Sequence, residues 1–182
     1  MDWHRQEFDI PQTASTQQTL HLLANEQLII AQDAGNYAIT NLGALLFARD
    51  LNDFPTVARK ALRVIRYDGP SPISPSRSKT FFSGYAKLDQ ALEYVEALLP
   101  EQEVIQGARR VTLRMFPHMA LRELMANMLI HQDFSITGTG PMICIFDGRI
   151  EFTNPGSSLV DVARLLNDPP HSRNEKMPAI CR

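Results

Sequence analysis

The sequence predicts an α/β chain of the α+β type: a mainly antiparallel sheet with helices on one face, preceded by a small helical, winged-helix-like segment. Three observations predict it. Residues 86–99 place Leu88, Ala91, Leu92, Val95, Leu98 and Leu99 at the spacing of an amphipathic helix that ends at Pro100. Residues 61–67 and 110–116 alternate as strands do. Asp147-Gly148, set between Met142–Phe146 and Arg149–Thr153, is the turn chemistry of a tight hairpin.

Taken in order, residues 1–11 are polar and irregular, and Thr16 to Leu28 reads as a short helix with Ser15 or Thr16 as its N-cap. Asp33-Ala-Gly-Asn36 is a turn into a short strand, Tyr37–Thr40, after which Thr40-Asn41 caps a helix carrying Leu42, Leu45, Leu46 and Phe47. Helix, turn, strand, helix resembles a winged-helix fragment; a helical pair packed onto the following domain is the alternative. Residues 1–52 are accordingly taken as an N-terminal segment and 53–182 as the main module.

Residues 61–67 are expected to form a strand covered in part on both faces. The Pro/Ser-rich run Gly69 to Ser78 reads as a loop, followed by a short extended piece at Phe81-Phe82. After the strand at 110–116, Pro117 opens a helix running to Ile130, because a proline is tolerated in a first helical turn. Its expected buried face is Met119, Ala120, Leu121, Leu124, Met125, Met128 and Leu129, with Met115 also read as core. Gly138-Thr-Gly140 joins helix to strand. The five apolar residues of 142–146 suggest a central strand, and Cys144 within them is read as core. Leu159 to Leu166 reads as a further helix, closed by Pro169-Pro170.

Composition limits the function. The chain has 182 residues, 44% hydrophobic and 21% charged, with a formal net charge of -2. Residues 1–60 carry 4 Lys/Arg against 7 Asp/Glu, 61–116 carry 8 against 6, and 117–182 carry 6 against 7, so no third is a basic arm. A protein that neutralises phosphates along a duplex normally shows a basic stripe, so DNA contact is expected to reside outside this chain. No apolar run approaches the ~20 residues of a membrane span, and the start lacks signal-peptide order, which makes the cytoplasm the simplest compartment. Two cysteines, Cys144 and Cys181, form neither a metal clip nor a disulfide framework.

The 117–130 helix carries the chemistry. Glu123, Asn127 and His131 recur every four residues and share one stripe. As a zinc site this is poor, with one carboxylate, one imidazole and no HExxH order. A magnesium-nucleotide site makes better sense, since an Asn oxygen, phosphate oxygens and waters can complete an octahedron while a carboxylate orients water. The alternative is a solvated polar edge, which on the stripe alone is the simpler reading.

The order of helix with Glu-x-x-x-Asn, hairpin, and glycine after the return strand resembles the Bergerat-type ATP-binding fold of gyrase, heat-shock chaperones, histidine kinases and mismatch-repair ATPases. More closely, Thr40-Asn-Leu-Gly-Ala-Leu-Leu-Phe47, Leu121-Arg-Glu-Leu-Met-Ala-Asn-Met-Leu-Ile-His-Gln-Asp133, Ile145-Phe-Asp-Gly-Arg-Ile-Glu-Phe-Thr-Asn-Pro-Gly156 and Ser172-Arg-Asn174 look like successive motifs of one family. That family is the divergent ATPase module of bacterial and archaeal transcriptional regulators labelled ATP-dependent DNA helicase-related, with a Schlafen-type AlbA-like domain upstream and a winged helix downstream.

The resemblance implies ATP and Mg2+ as cofactors. Glu123 would be the general base or water-orienting carboxylate, and Asn127 would hold the magnesium. Asn154 stands where the wider class has an Asp that accepts from the adenine amino group, and Gly156 lets the base approach. His131 and Asp133 match a His-Arg-Asp step in which Gln132 replaces the Arg. Arg173 and Asn174 match an Arg-Asn-Pro motif in which Glu175 replaces the Pro. The chain is expected to be a middle portion of a longer protein that stops inside the nucleotide lid, with weak or absent hydrolysis and a capacity to self-associate. No GxxxxGK[ST] loop occurs, which excludes the motor of a conventional helicase. Two other readings stay open: a regulatory or dimerisation domain without nucleotide, and duplex binding by residues 16–50. Gly138-Thr-Gly140 is compatible with anion binding through its amides, although a plain connecting loop is the simpler reading.

Overall fold

The computed structural model describes residues 15–106, 109–158 and 174. Helix α1 (Thr16–Asn25) starts at a reciprocal capping box, Ser15 accepting from the Gln18 amide while the Gln18 side chain accepts from the Ser15 amide. Strands β1 (Ile29–Ala31) and β2 (Tyr37–Ile39) pair antiparallel, and α2 (Asn41–Phe47) follows, its N-cap Thr40 accepting from the Gly43 amide at 3.0 Å. Gly43 is obligatory: a Cβ there would lie 2.2 Å from the Leu28 carbonyl oxygen, so α2 crosses the chain at 28 with no room for a side chain.

Strands β3 (Leu62–Tyr67) and β4 (Pro75–Phe81) form an antiparallel pair with a register shift at Arg66/Tyr67. Helix α3 (Leu88–Leu98) buries Leu88, Ala91, Leu92 and Val95, as its spacing predicts. A separate antiparallel pair, β5 (Glu101–Gln106) and β6 (Arg109–Arg114), precedes α4 (His118–Ile130). The hairpin β7 (Met142–Ile145) and β8 (Ile150–Thr153) completes a four-stranded sheet of order β4-β3-β7-β8. The sheet is antiparallel except at its centre, where β3 and β7 run parallel; β7 is thus central, as its unbroken apolar run predicts.

Strand alternation gives the sheet two unlike faces. On one, Leu62, Val64, Ile143 and Ile145 join a single buried cluster with Leu28, Leu45 and Leu46 from the N-terminal part, Leu92 and Val95 of α3, and Leu121, Met125, Met128 and Leu129 of α4. Truncating one of the fully buried leucines here to Ala costs about 2–5 kcal/mol. On the other, Ile65, Cys144 and Phe146 are buried, and the Tyr67 and Phe146 rings stack at 5.0 Å with the Arg149 guanidinium 3.9 Å from the Phe146 centroid. Both faces of β3 are therefore covered in part, as expected.

The structure corrects several expectations. Met115, Met119 and Leu124 are 54%, 71% and 46% exposed, and Ala120 is also exposed; α4 instead buries Ala126 and Ile130 beside Leu121, Met125, Met128 and Leu129. The reason is geometric: only a stripe about 100° wide can face the cluster, and the apolar residues of α4 run around more than that. The last four residues of the Pro/Ser-rich run are strand, because β4 begins at Pro75 on a sheet edge where a missing N–H costs nothing. Strands β1 and β5 were not expected. Pro117 occupies the N-cap of α4 rather than its first turn. The expected helix at 159–166 lies outside the described residues, and among those described no helix is long and apolar enough to cross a membrane.

Candidate functional site

Helix α4 brings Glu123 and Asn127 side by side. The Asn127 carboxamide Nδ2 donates to Glu123 Oε1 at 3.1 Å, with Glu123 exposed and Asn127 half-buried. That bond fixes which end of the amide is which: the N–H end faces the carboxylate, so Oδ1 remains the available acceptor. His131 is the C-cap of α4, and its amide donates to the Asn127 carbonyl at 3.0 Å.

The end of α4 is then held by side chains from distant segments. Asn154, just past β8, donates from Nδ2 to the His131 carbonyl at 3.0 Å, which leaves its own Oδ1 as an acceptor. Asn174 donates to the Ile130 carbonyl at 2.5 Å, the last of α4 and one a helix C-terminus leaves without an intrahelical partner, and to the Gln132 carbonyl just beyond the C-cap at 2.8 Å. Asp133 closes a local turn, accepting on Oδ1 from the Ser135 amide and hydroxyl, while its amide donates to the Pro155 carbonyl at 2.7 Å. Gly156 has φ 128°, a conformation that favours glycine. His131, Asp133, Asn154 and Asn174 therefore meet at one end of α4, with Asn127 a helical turn upstream and Glu123 two. Arg173 lies outside the described residues.

Two residues central to this knot were not among the site residues expected from the sequence. Lys60 is 3% exposed, and its ammonium donates to the Ile136 carbonyl at 2.6 Å and approaches that of Asp133 at 3.4 Å. Burial pushes its pKa below the ordinary lysine value, with the Asp133 carboxylate opposing that shift. Gln132 is fully buried and donates from Nε2 to the Tyr85 hydroxyl at 2.9 Å and the Leu129 carbonyl at 3.0 Å. Tyr85 in turn donates to the Lys60 carbonyl at 2.7 Å. A lone lysine in Val57-Ala-Arg-Lys60 carries no periodic signature; only the approach of the 131–136 loop gives it a role.

Cys144 is buried, and its thiol pKa is raised chiefly by burial, then by the Glu151 carboxylate, against the opposing influence of Arg63 and a hydrogen bond with Tyr67. That makes it an inert core thiol, as its sequence position predicts. Among the described residues no group of three or more His, Cys, Asp and Glu side chains is placed to hold a metal ion. A cation beside Asn127 would draw most of its ligands from water and a bound phosphate, which is how magnesium is commonly held. Comparison with known proteins finds no matching family model, no matching curated protein and no matching solved structure.

Proposed function

We propose that the chain is a magnesium-dependent ATP-binding module, with slow hydrolysis at most, belonging to a cytoplasmic regulator of transcription. The observation that carries the reading is the Glu123–Asn127 pair: one contact orients the amide so that its oxygen is left for a hard cation, and it sets a carboxylate beside that position. Asn154 supports it from the other side of the helix end, since its donation to the His131 carbonyl leaves an oxygen for an exocyclic amine. The roles are those the resemblance implies, and these orientations are compatible with them. Asn127 Oδ1 would help hold the magnesium, Glu123 would orient and deprotonate water, and Asn154 Oδ1 would accept from the adenine amino group without the charge assistance an Asp supplies. Magnesium would supply charge neutralisation on the phosphates.

Titration calorimetry with Mg-ATP tests the reading. Wild type should bind, Asn127→Ala should weaken binding at least about tenfold, corresponding to one lost charge-assisted contact of about 1.4 kcal/mol or more, and Glu123→Gln should bind while losing any hydrolysis. No binding by wild type sinks the proposal.

A second reading, an interaction surface that takes no nucleotide, is favoured by the exposure of Met119 and Leu124 on the same helix. Sedimentation separates the two: self-association lost in Met119→Asp, with Mg-ATP silent, selects the second.

A further inference from the structure

The register of the four-stranded sheet aligns one row of side chains across every strand. Arg63 of β3 pairs with Thr80 of β4 and with Met142 of β7, and Met142 pairs with Thr153 of β8. Residues in register share a face, so Thr80, Arg63, Met142 and Thr153 form a line on one side. That side is opposite to Leu62, Val64 and Ile143, which pack with α4, so the sheet itself lies between this row and the Glu123–Asn127 edge.

The row floors a cleft of about 490 Å³, within the range of small-molecule sites. One end is closed by the 138–141 loop lying against residues 59–61: a Cβ on Gly140 would be 2.2 Å from the Arg59 carbonyl oxygen, and the Arg63 amide donates to the Pro141 carbonyl at 3.1 Å.

The lining has a definite chemistry. It includes Arg59 and Arg63, four hydroxyl side chains, the Asn154 carboxamide at the end nearest α4, and no Asp or Glu among the described residues. Neither arginine has a carboxylate partner among those residues, whereas Arg66, Arg122 and Arg149 each do. Arg63 is tethered through Nε to Ser78 Oγ at 3.4 Å, which leaves its terminal nitrogens for another acceptor. Phe82, 41% exposed, lines the same cleft with Met142, giving an apolar and aromatic surface beside the charge. Two guanidinium groups without a carboxylate partner among the described residues, in a protein of formal net charge -2, mark a local reversal of sign, and a planar guanidinium matches phosphate geometry.

We infer that this cleft is a second binding site, on the opposite face of the sheet from α4, for a small phosphomonoester with a flat or apolar body. Its phosphate sits on Arg63 and Arg59, the hydroxyls of Thr80 and Thr139 supply neutral donors, and the body lies against Phe82 and Met142. The ligand needs no metal there, because the arginines supply the positive charge.

The test is calorimetry in low salt without magnesium, using AMP as the phosphomonoester and adenosine as the same body without phosphate. Expected are AMP binding to wild type, at least a tenfold loss in Arg63→Gln, at least tenfold weaker binding of adenosine, and an unchanged AMP affinity in Asn127→Ala. Circular dichroism confirms the fold of each variant; should Arg63→Gln not fold, Arg59→Gln, whose loop contact is through its backbone, carries the same expectation. The inference is overturned by silence with AMP, by equal binding of adenosine, by folded arginine variants that bind as wild type does, or by a loss that appears in Asn127→Ala instead. Asn154, which the proposed function assigns to adenine, also lines this cleft, so Asn154→Ala is titrated with AMP as well: a loss there with Arg63→Gln and Arg59→Gln binding as wild type places AMP at the α4 site and overturns the inference, whether or not Mg-ATP binds.

Discussion

Asn154 donates its side-chain N–H to the carbonyl oxygen of His131 at 3.0 Å, fastening the end of β8 to the C-terminus of α4. The geometry asks for a donor at this position and leaves the acceptor end of the amide over. It therefore combines two properties that an Asp carboxylate cannot, since a carboxylate accepts but does not donate.

Asn154→Asp should accordingly destabilise the fold by about 1–3 kcal/mol at neutral pH, because a carboxylate would face a carbonyl oxygen in a half-buried position. Asn154→Ala, which removes the bond without placing like dipoles together, should cost less. Urea unfolding of the three proteins measures this, and an Asp variant as stable as wild type would show that the tether contributes nothing.

Lys60→Met should cost about 1–3 kcal/mol by leaving the Ile136 carbonyl without its donor. The pH dependence has a defined sign. Folding lowers the Lys60 pKa, so in the alkaline window below the ordinary value of 10.5 the unfolded chain binds more protons than the folded one. The stability of wild type relative to Lys60→Met should therefore rise with pH across that window and fall back as pH drops through the folded-state pKa. Thermal midpoints of the pair at several alkaline pH values test it; a constant difference counts against burial of the ammonium.

Gly140→Ala should be strongly destabilising, by about 2 kcal/mol or more, because the new Cβ would lie 2.2 Å from the Arg59 carbonyl oxygen, backbone that cannot swing aside. Gly148→Ala meets nothing within 4 Å and should shift stability by no more than about 0.5 kcal/mol. Equal melting temperatures for the two variants would contradict the close contact between the 138–141 loop and residues 59–61.

In a Cys181→Ser background, Cys144 should react with iodoacetamide about 100-fold more slowly in native protein than in denaturant, since burial both shields the thiol and disfavours thiolate. The raised pKa also predicts that its contribution to stability is complete below the ordinary thiol value of 9.0 and declines as pH rises beyond it. Mass spectrometry after timed quenching reads the first, and rapid native labelling would show that β7 is accessible.

Helix α3 was legible because its apolar residues fall on a single stripe, and β7 because five apolar residues in a row have no solvent face to offer. Helix α4 was legible in extent but not in facing. Its apolar residues outnumber the positions one stripe provides, so the exposure of Met119 and Leu124 was settled by where β8 and α3 lie against it. The β4 strand was hidden by its proline and serines, since an edge strand needs only a partner on one side. Within the candidate site, the Glu123–Asn127 contact follows directly from helical spacing. The donor role of Asn154 and the convergence of Asn174 on the same helix end depend on segments separated by 23 to 44 residues.

The sequence by itself determined the α+β class, the capped starts of α1 and α2, the hairpin at Asp147-Gly148 and the pairing of Glu123 with Asn127, because each rests on interactions within a few residues. Only the tertiary structure decided that β3 and β7 meet in parallel, that Lys60 is buried beneath the 131–136 loop, and that Arg63, Thr80, Met142 and Thr153 stand in one row. Those relations depend on strand register and on which loop approaches which strand, quantities fixed by the packing of the whole core and carried by no local pattern.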